Sequence, residues 1–186
     1  MASSPWLGGG TLPHTRAMSD ATTSNGTTSD AATGPITIDT ATASDLAAVA
    51  ELRWRWVLEN EGTPVVPYDE FVEILTDWAA QHAGSHSCTV ARRGATVIGM
   101  AWLAVVPRVP SARALVRASG DVQSVYVTPT ERGSGVGGRM LDAVLRRAFG
   151  LGLERVTVHS TPGAITAYTR AGFASSDRLL QAMPES

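Results

Sequence analysis

Six residues, Arg132-Gly133-Ser134-Gly135-Val136-Gly137, set an arginine ahead of closely spaced glycines. They lie where a strand-like run, Asp121 to Thr128, gives way to a helical pattern from about Gly135. The first N–H groups of a helix have no intrahelical partner, and the helix dipole is positive there. Glycines remove the Cβ atoms and let that backbone approach an anion closely. The chemistry expected at this point is therefore the holding of a phosphate.

Gly133 to Gly138 also spells the dinucleotide pattern G-x-G-x-x-G, but its position is wrong. The strand before it is the fourth in the chain, not the first. Pro129 to Gly133 intervene before the central glycine, and only about 50 residues follow, too few for further βαβ units. The phosphate loop G-x-x-x-x-G-K-[ST] is absent, because the chain contains no lysine. The same absence excludes Schiff-base catalysis.

Other residues capable of chemistry are few. Asp121 opens the strand before the glycines, and Gln123 shares its side of the strand by the period of 2. Tyr168 lies on a short helix. His159 stands at the end of a strand, where a lone histidine is more often packing or solvated than catalytic. Cys88, the single cysteine, falls within a strand-like run and reads as a buried thiol. Neither a disulfide nor a cysteine-based metal site can form within the chain, and no second ligand falls at metal spacing near His159.

These residues must be positioned by one domain. Residues 1–34 are rich in Ser, Thr, Gly and Ala and lack a period, so they read as a disordered or loosely packed extension. Residues 35–186 read as a single domain. Ile36 to Thr42 alternates as a strand. Thr42 or Ser44 caps a helix to about Asn60, and a second helix runs from Tyr68 to His82. Ser85 to Arg93 and Thr96 to Val106 form a hairpin across Gly94. The strand at Asp121 and the helix from Gly135 to Leu151 follow. The strand Glu154 to Ser160, a short helix to Gly172 and a closing strand from Phe173 to Met183 complete the chain. The order is β-α-α-β-β-β-α-β-α-β.

The arginine–glycine segment resembles the [RQ]-x-x-G-x-[GA] motif of the GCN5-related N-acetyltransferase (GNAT) family. Ala164 to Phe173, AITAYTRAGF, is similar to that family's A-I-x-x-Y-x-x-x-G-F segment. The two motifs occur in the family's order, about 30 residues apart, and the element order matches over about 150 residues. The resemblance implies an α/β (α+β) fold with a mixed, mostly antiparallel central sheet flanked by helices. It implies acetyl-CoA as cosubstrate and direct acetyl transfer to an amine of a small molecule or peptide. A non-catalytic module that senses acyl-CoA is the alternative.

By the same resemblance, Arg132, Gly133, Ser134, Gly135, Val136 and Gly137 hold the pyrophosphate. Val125, Tyr126 and Val127 run beside the pantetheine arm, where a backbone N–H polarises the thioester. Tyr168 is the general acid and Asp121 the candidate base. Many relatives place an Asn before the tyrosine helix; here Ser160 or Thr161 would supply a hydroxyl. Trp54, Trp56 and Trp78 are candidates for the acceptor pocket, although one or two belong to the core. The acidic residues of this region, Glu59, Glu61, Asp69, Glu70, Glu73 and Asp77, would suit a cationic amine.

The formal net charge of −2 carries no basic footprint for nucleic acid. No apolar run reaches the length of a membrane span, and no secretion signal is evident, so a cytoplasmic setting is expected. A homodimer is compatible with these features.

Overall fold

The computed structural model describes residues 34–184; the extension read over residues 1–34 therefore lies outside it except for Gly34. The described elements are β1 (Ile36–Thr40), α1 (Leu46–Asn60), α2 (Tyr68–Gln81), β2 (His86–Arg93), β3 (Thr96–Pro107), β4 (Ala118–Val127), α3 (Val136–Gly150), β5 (Val156–Val158) and α4 (Ile165–Arg170). The five strands form one sheet in the order β1-β2-β3-β4-β5. Every neighbouring pair is antiparallel except β4 and β5, which run parallel. No helix among the described residues is long and apolar enough to cross a membrane.

Strand alternation divides the core into two layers. On one face Ala101, Leu103 and Val122 pack with Val136, Met140, Leu141 and Val144 of α3. On the other, Cys88, Val90, Met100 and Trp102 meet Val49 and Leu52 of α1 and Ala79 of α2. Met140 and Val144 are fully buried. Gly99 allows α3 this close: a Cβ there would stand 2.8 Å from the Met140 sulfur and 3.2 Å from the Tyr126 carbonyl oxygen. Cys88 is the inert thiol expected, since burial pushes it up to about 12.

α1 is entered through a capping box. Asp45 accepts hydrogen bonds from the Thr42 N–H (2.6 Å) and the Thr42 hydroxyl (2.7 Å). Arg92 of β2 pairs with the same carboxylate at 2.5 Å and ties the helix start to the sheet.

The sequence pattern departs from the structure in three places. β3 continues to Pro107 and β4 begins at Ala118, so the loop expected between them is shorter. β5 is only three residues long. The closing strand is absent: beyond Phe173 the chain makes no strand among the described residues. Ser175-Ser176-Asp177 explains this. Ser176 accepts from the Arg178 N–H on its hydroxyl and from the Leu179 N–H on its carbonyl, which turns the chain back. Leu180 is left 90% exposed, with no apolar face to meet.

Candidate functional site

The site begins with a fault in β4. Met100 pairs with Tyr126 and Trp102 with Gln123, so Ser124 and Val125 together oppose Ala101. This is a bulge, and Ser124 carries it at φ 49°, the one non-glycine with positive φ among the described residues. The extra residue flips the alternation. Val122 faces the α3 layer, yet Tyr126, four residues on, is buried in the α1–α2 layer.

The bulge coincides with the parting of β4 and β5. Their ladder has three rungs, Gly120–Val156, Asp121–Thr157 and Val122–Val158, and then stops. Beyond it one edge of β4 is open. The Thr128 N–H donates toward β3, to the Ile98 carbonyl at 2.9 Å. By alternation, Val127 and Val125 direct their backbone groups to the open edge. The Val127 carbonyl there accepts from the Arg132 Nε at 2.9 Å.

The open edge leads into the glycine loop. Gly133 (φ 81°) and Gly135 (φ 82°) are both left-handed, and a Cβ on either would meet nothing within 4 Å. Conformation, not crowding, selects glycine here. Gly135 is the N-cap of α3 and offers no side chain to the free N–H groups. The Ser134 hydroxyl does not substitute: it donates to the Glu131 carbonyl at 2.7 Å, and no side chain among the described residues accepts from the first N–H groups of α3. No acidic residue lies in the first turn of α3. The nearby carboxylate, Glu131, is drawn aside by two bonds from Arg93, at 2.8 and 2.7 Å. An uncapped start of a 15-residue helix, cleared of carboxylates, favours an anion.

Arg132 turns its side chain away from the loop. Besides the Val127 carbonyl, it bonds Glu59 of α1 at 2.6 Å and lies 5.2 Å from the centre of the Tyr126 ring. Glu59 also accepts from the Tyr126 hydroxyl at 2.6 Å. The two donors hold the Glu59 carboxyl below its usual range, the Tyr126 bond first. Burial, with Glu59 second, pushes the Tyr126 phenol up to about 12. Tyr126 is thus a neutral strut between β4 and α1. Sequence reading placed Glu59 among the acidic residues near the acceptor but not against Arg132; 73 positions separate the two, and no local pattern links them.

Asp121 occupies the middle rung of the β4–β5 ladder. It accepts from the Thr157 hydroxyl (3.1 Å) and from the Gln123 amide (3.0 Å). The expected common side of Asp121 and Gln123 is present. Thr157 was not anticipated, since it arrives from the neighbouring strand.

Tyr168 on α4 is half-buried and meets Phe173 edge-on, ring centres 5.5 Å apart. Burial raises its phenol above the ordinary value, which favours the protonated form. It faces a groove of about 550 Å³ shared with Val158, Ser160 and the C-terminal segment. Ser160 donates to the Thr161 carbonyl at 2.8 Å. His159 is exposed.

On the opposite side of the bulge lies a pocket of about 210 Å³ between α1, α2 and β4. Trp78, Trp102, Phe71 and Leu75 wall it, and Gln123 and Ser124 of the bulge line it. Of the three candidate tryptophans, Trp78 lines this pocket. Trp54 instead packs on Tyr68 and Phe71 at the α1–α2 joint, with ring centres 5.5 and 5.6 Å away. Trp56 packs on the core and under Arg53. Trp102 enters unannounced, and Arg53, at the head of the region expected to choose the acceptor, enters with no role assigned to it. Arg53 is a polar residue within an apolar helix face, the one clue the sequence held. None of Asp69, Glu70, Glu73 and Asp77 lines the pocket; all four are exposed on α2.

No group of three or more His, Cys, Asp or Glu side chains among the described residues could hold a metal ion.

Known proteins reproduce this architecture. A predicted acetyltransferase from Clostridium acetobutylicum, solved with acetyl-CoA, superposes with a TM-score of 0.67 at 18% identity, over 80% of this chain and 96% of that one. An acetyltransferase from Trypanosoma brucei gives 0.62 at 20% identity, over 81% and 100%. Glucosamine-6-phosphate N-acetyltransferase from Arabidopsis thaliana gives 0.64 at 12% identity, over 81% and 99%. At such identities these neighbours establish the fold alone. No curated protein sequence matches the chain. The model of the acetyltransferase (GNAT) family, whose members use acetyl-CoA as cosubstrate, matches residues 46–173, from the start of α1 through Tyr168 to Phe173. With the bulged β4, its parting from β5 and the uncapped glycine loop all inside that span, the chain belongs to the GNAT acetyltransferase family.

Proposed function

We propose that residues 35–186 form one catalytic domain that transfers an acetyl group from acetyl-CoA to a primary amine of a small molecule. The observation that carries this reading is the continuity of β4's open edge, from the Ser124 bulge to Val127, with the uncapped start of α3. An extended arm ending in a pyrophosphate fits that path, with strand-like backbone groups along its length and free N–H groups at its end.

Acetyl-CoA, when bound, supplies a thioester. The N–H groups from Gly133 to Gly137 hold its pyrophosphate. The Val125 N–H donates to the thioester carbonyl oxygen, where negative charge develops during attack. Asp121, steadied by Thr157 and Gln123, receives the proton that the amine gives up. A new C–N bond forms and the C–S bond breaks. Tyr168 gives its proton to the departing sulfur. Ser160, in the turn before α4, bonds the pantetheine arm in this reading.

Thiol release from acetyl-CoA across a broad amine panel tests this reading. Turnover of an amine supports it. Tight acetyl-CoA binding without release from any amine would instead mark a non-catalytic sensor. No binding at millimolar acetyl-CoA would overturn both.

A further inference from the structure

Arg53 is a cation without an anion. Its side chain lines the pocket beside the Ser124 bulge and is half-buried, its guanidinium carbon 4.2 Å from the centre of the Trp56 ring. The other well-covered arginines each hold a carboxylate: Arg92 takes Asp45, Arg93 takes Glu131 and Arg117 takes Glu154. Arg53 makes no ion pair or hydrogen bond among the described residues. The field of Glu61 reaches it, but burial outweighs that field and pulls the guanidinium below its ordinary value. A half-covered charge left unpaired costs folding free energy that an incoming anion would offset.

The rest of the pocket narrows the ligand. Phe71, Leu75, Trp78 and Trp102 give it apolar and aromatic walls. Gln123 and Ser124 join it to the bulge, where the proposed reading presents the acetyl group. Its volume of about 210 Å³ lies below the roughly 300–1,000 Å³ of pockets for drug-sized ligands. One guanidinium fork matches one carboxylate in a bidentate pair.

We propose that the acceptor is a small amino carboxylate, an α-amino acid with an apolar or aromatic side chain, whose carboxylate pairs with Arg53 while its amine faces the bulge. This rests on the acetyl-transfer reading and reverses the expectation, drawn from the acidic residues on and between α1 and α2, of a cationic acceptor. A single positive group among aromatic walls suits a monoanion bearing an apolar body better than a phosphate dianion.

The test pairs L-phenylalanine, L-leucine and L-methionine with phenethylamine, isoamylamine and 3-(methylthio)propylamine, the same bodies without the carboxylate. Binding is followed by tryptophan fluorescence, since Trp78 and Trp102 line the pocket, and turnover by thiol release. Wild-type protein is expected to favour at least one amino acid over its amine by more than about tenfold in kcat/KM. Arg53→Gln should raise the amino acid's KM by about tenfold or more and abolish the preference, with the KM for acetyl-CoA unchanged. Arg53→Met, which keeps cover over Trp56, should do the same if Arg53→Gln fails to fold. Equal use of amine and amino acid by the wild type would overturn the proposal. So would no fluorescence response to any of the three amino acids at millimolar concentration, or a preference that survives both variants. Calorimetry with acetyl-CoA separates the two levels: a protein that binds acetyl-CoA but ignores the carboxylate refutes the acceptor alone.

Discussion

The carboxylate of Glu59, on the last turn of α1, meets the guanidinium of Arg132, at the head of the glycine loop, at 2.6 Å. The pair joins the helix beside the aromatic pocket, proposed for the acceptor, to the loop that would hold the pyrophosphate. Tyr126 shares the carboxylate and anchors it to β4. Both members of the pair are partly solvated, so its worth to global stability is small, about 0.2–1 kcal/mol.

Glu59→Gln should therefore act on binding more than on folding. The expected result is a rise of about three- to tenfold in the KM for acetyl-CoA, with the melting temperature shifted by only a few degrees. The wild-type carboxyl titrates below its ordinary value, so its contribution is present above the unfolded pKa and fades as pH falls through the folded one. The affinity difference between wild type and variant should vanish at acid pH.

Asp45 carries a heavier structural role. It closes the capping box with Thr42 and holds Arg92, and these bonds, Arg92's first, keep its carboxyl far below the usual range. Asp45→Ala should cost about 1–3 kcal/mol in denaturant unfolding. Because the folded pKa is depressed, this stability is fully present above about pH 4 and is lost as pH falls below it. Wild type and variant should converge in strongly acid solution.

How far the sequence revealed all this depends on the range of the interaction. Local patterns sufficed for α1, α2, α3 and the glycine loop, because caps, helical periods and glycine placement are written within a few residues. Asp121 and Gln123 were legible as a pair through strand period. The bulge was not: Ser124 stands between Gln123 and Val125 with no cluster of turn residues to mark a break, and its left-handed φ coincides with a register shift against β3 that only the folded sheet shows. Arg53, Trp102, Thr157 and Glu59 reach the site from other elements, which only the folded sheet brings together. The expected closing strand failed for the opposite reason. Its apolar residues were read as a strand while Ser175-Ser176-Asp177 enforced a turn.

Gly135→Ala separates conformation from contact. A residue with a Cβ at φ 82° costs about 1–2 kcal/mol, while the space around that Cβ is open. Stability should fall by that amount. Acetyl-CoA affinity should fall further, by about tenfold or more, because the methyl would intrude on the path of the phosphate. Calorimetry and a thermal melt on the same sample read the two effects.

Tyr168→Phe keeps the ring against Phe173 and the core, so the fold should persist. Loss of the proton donor should lower kcat by about 10²-fold or more while the KM for acetyl-CoA stays near wild type. An unchanged kcat would remove Tyr168 from the mechanism.

The central claim is that acetyl-CoA lies along the open edge of β4 with its pyrophosphate on the start of α3. A backbone amide NMR titration tests it most directly. The account predicts saturable shifts at Val125, Val127 and Gly133 to Gly138, with the β1–β2 ladder left in place. Saturating acetyl-CoA that leaves those amides unmoved, or shifts confined to another face of the sheet, would contradict it.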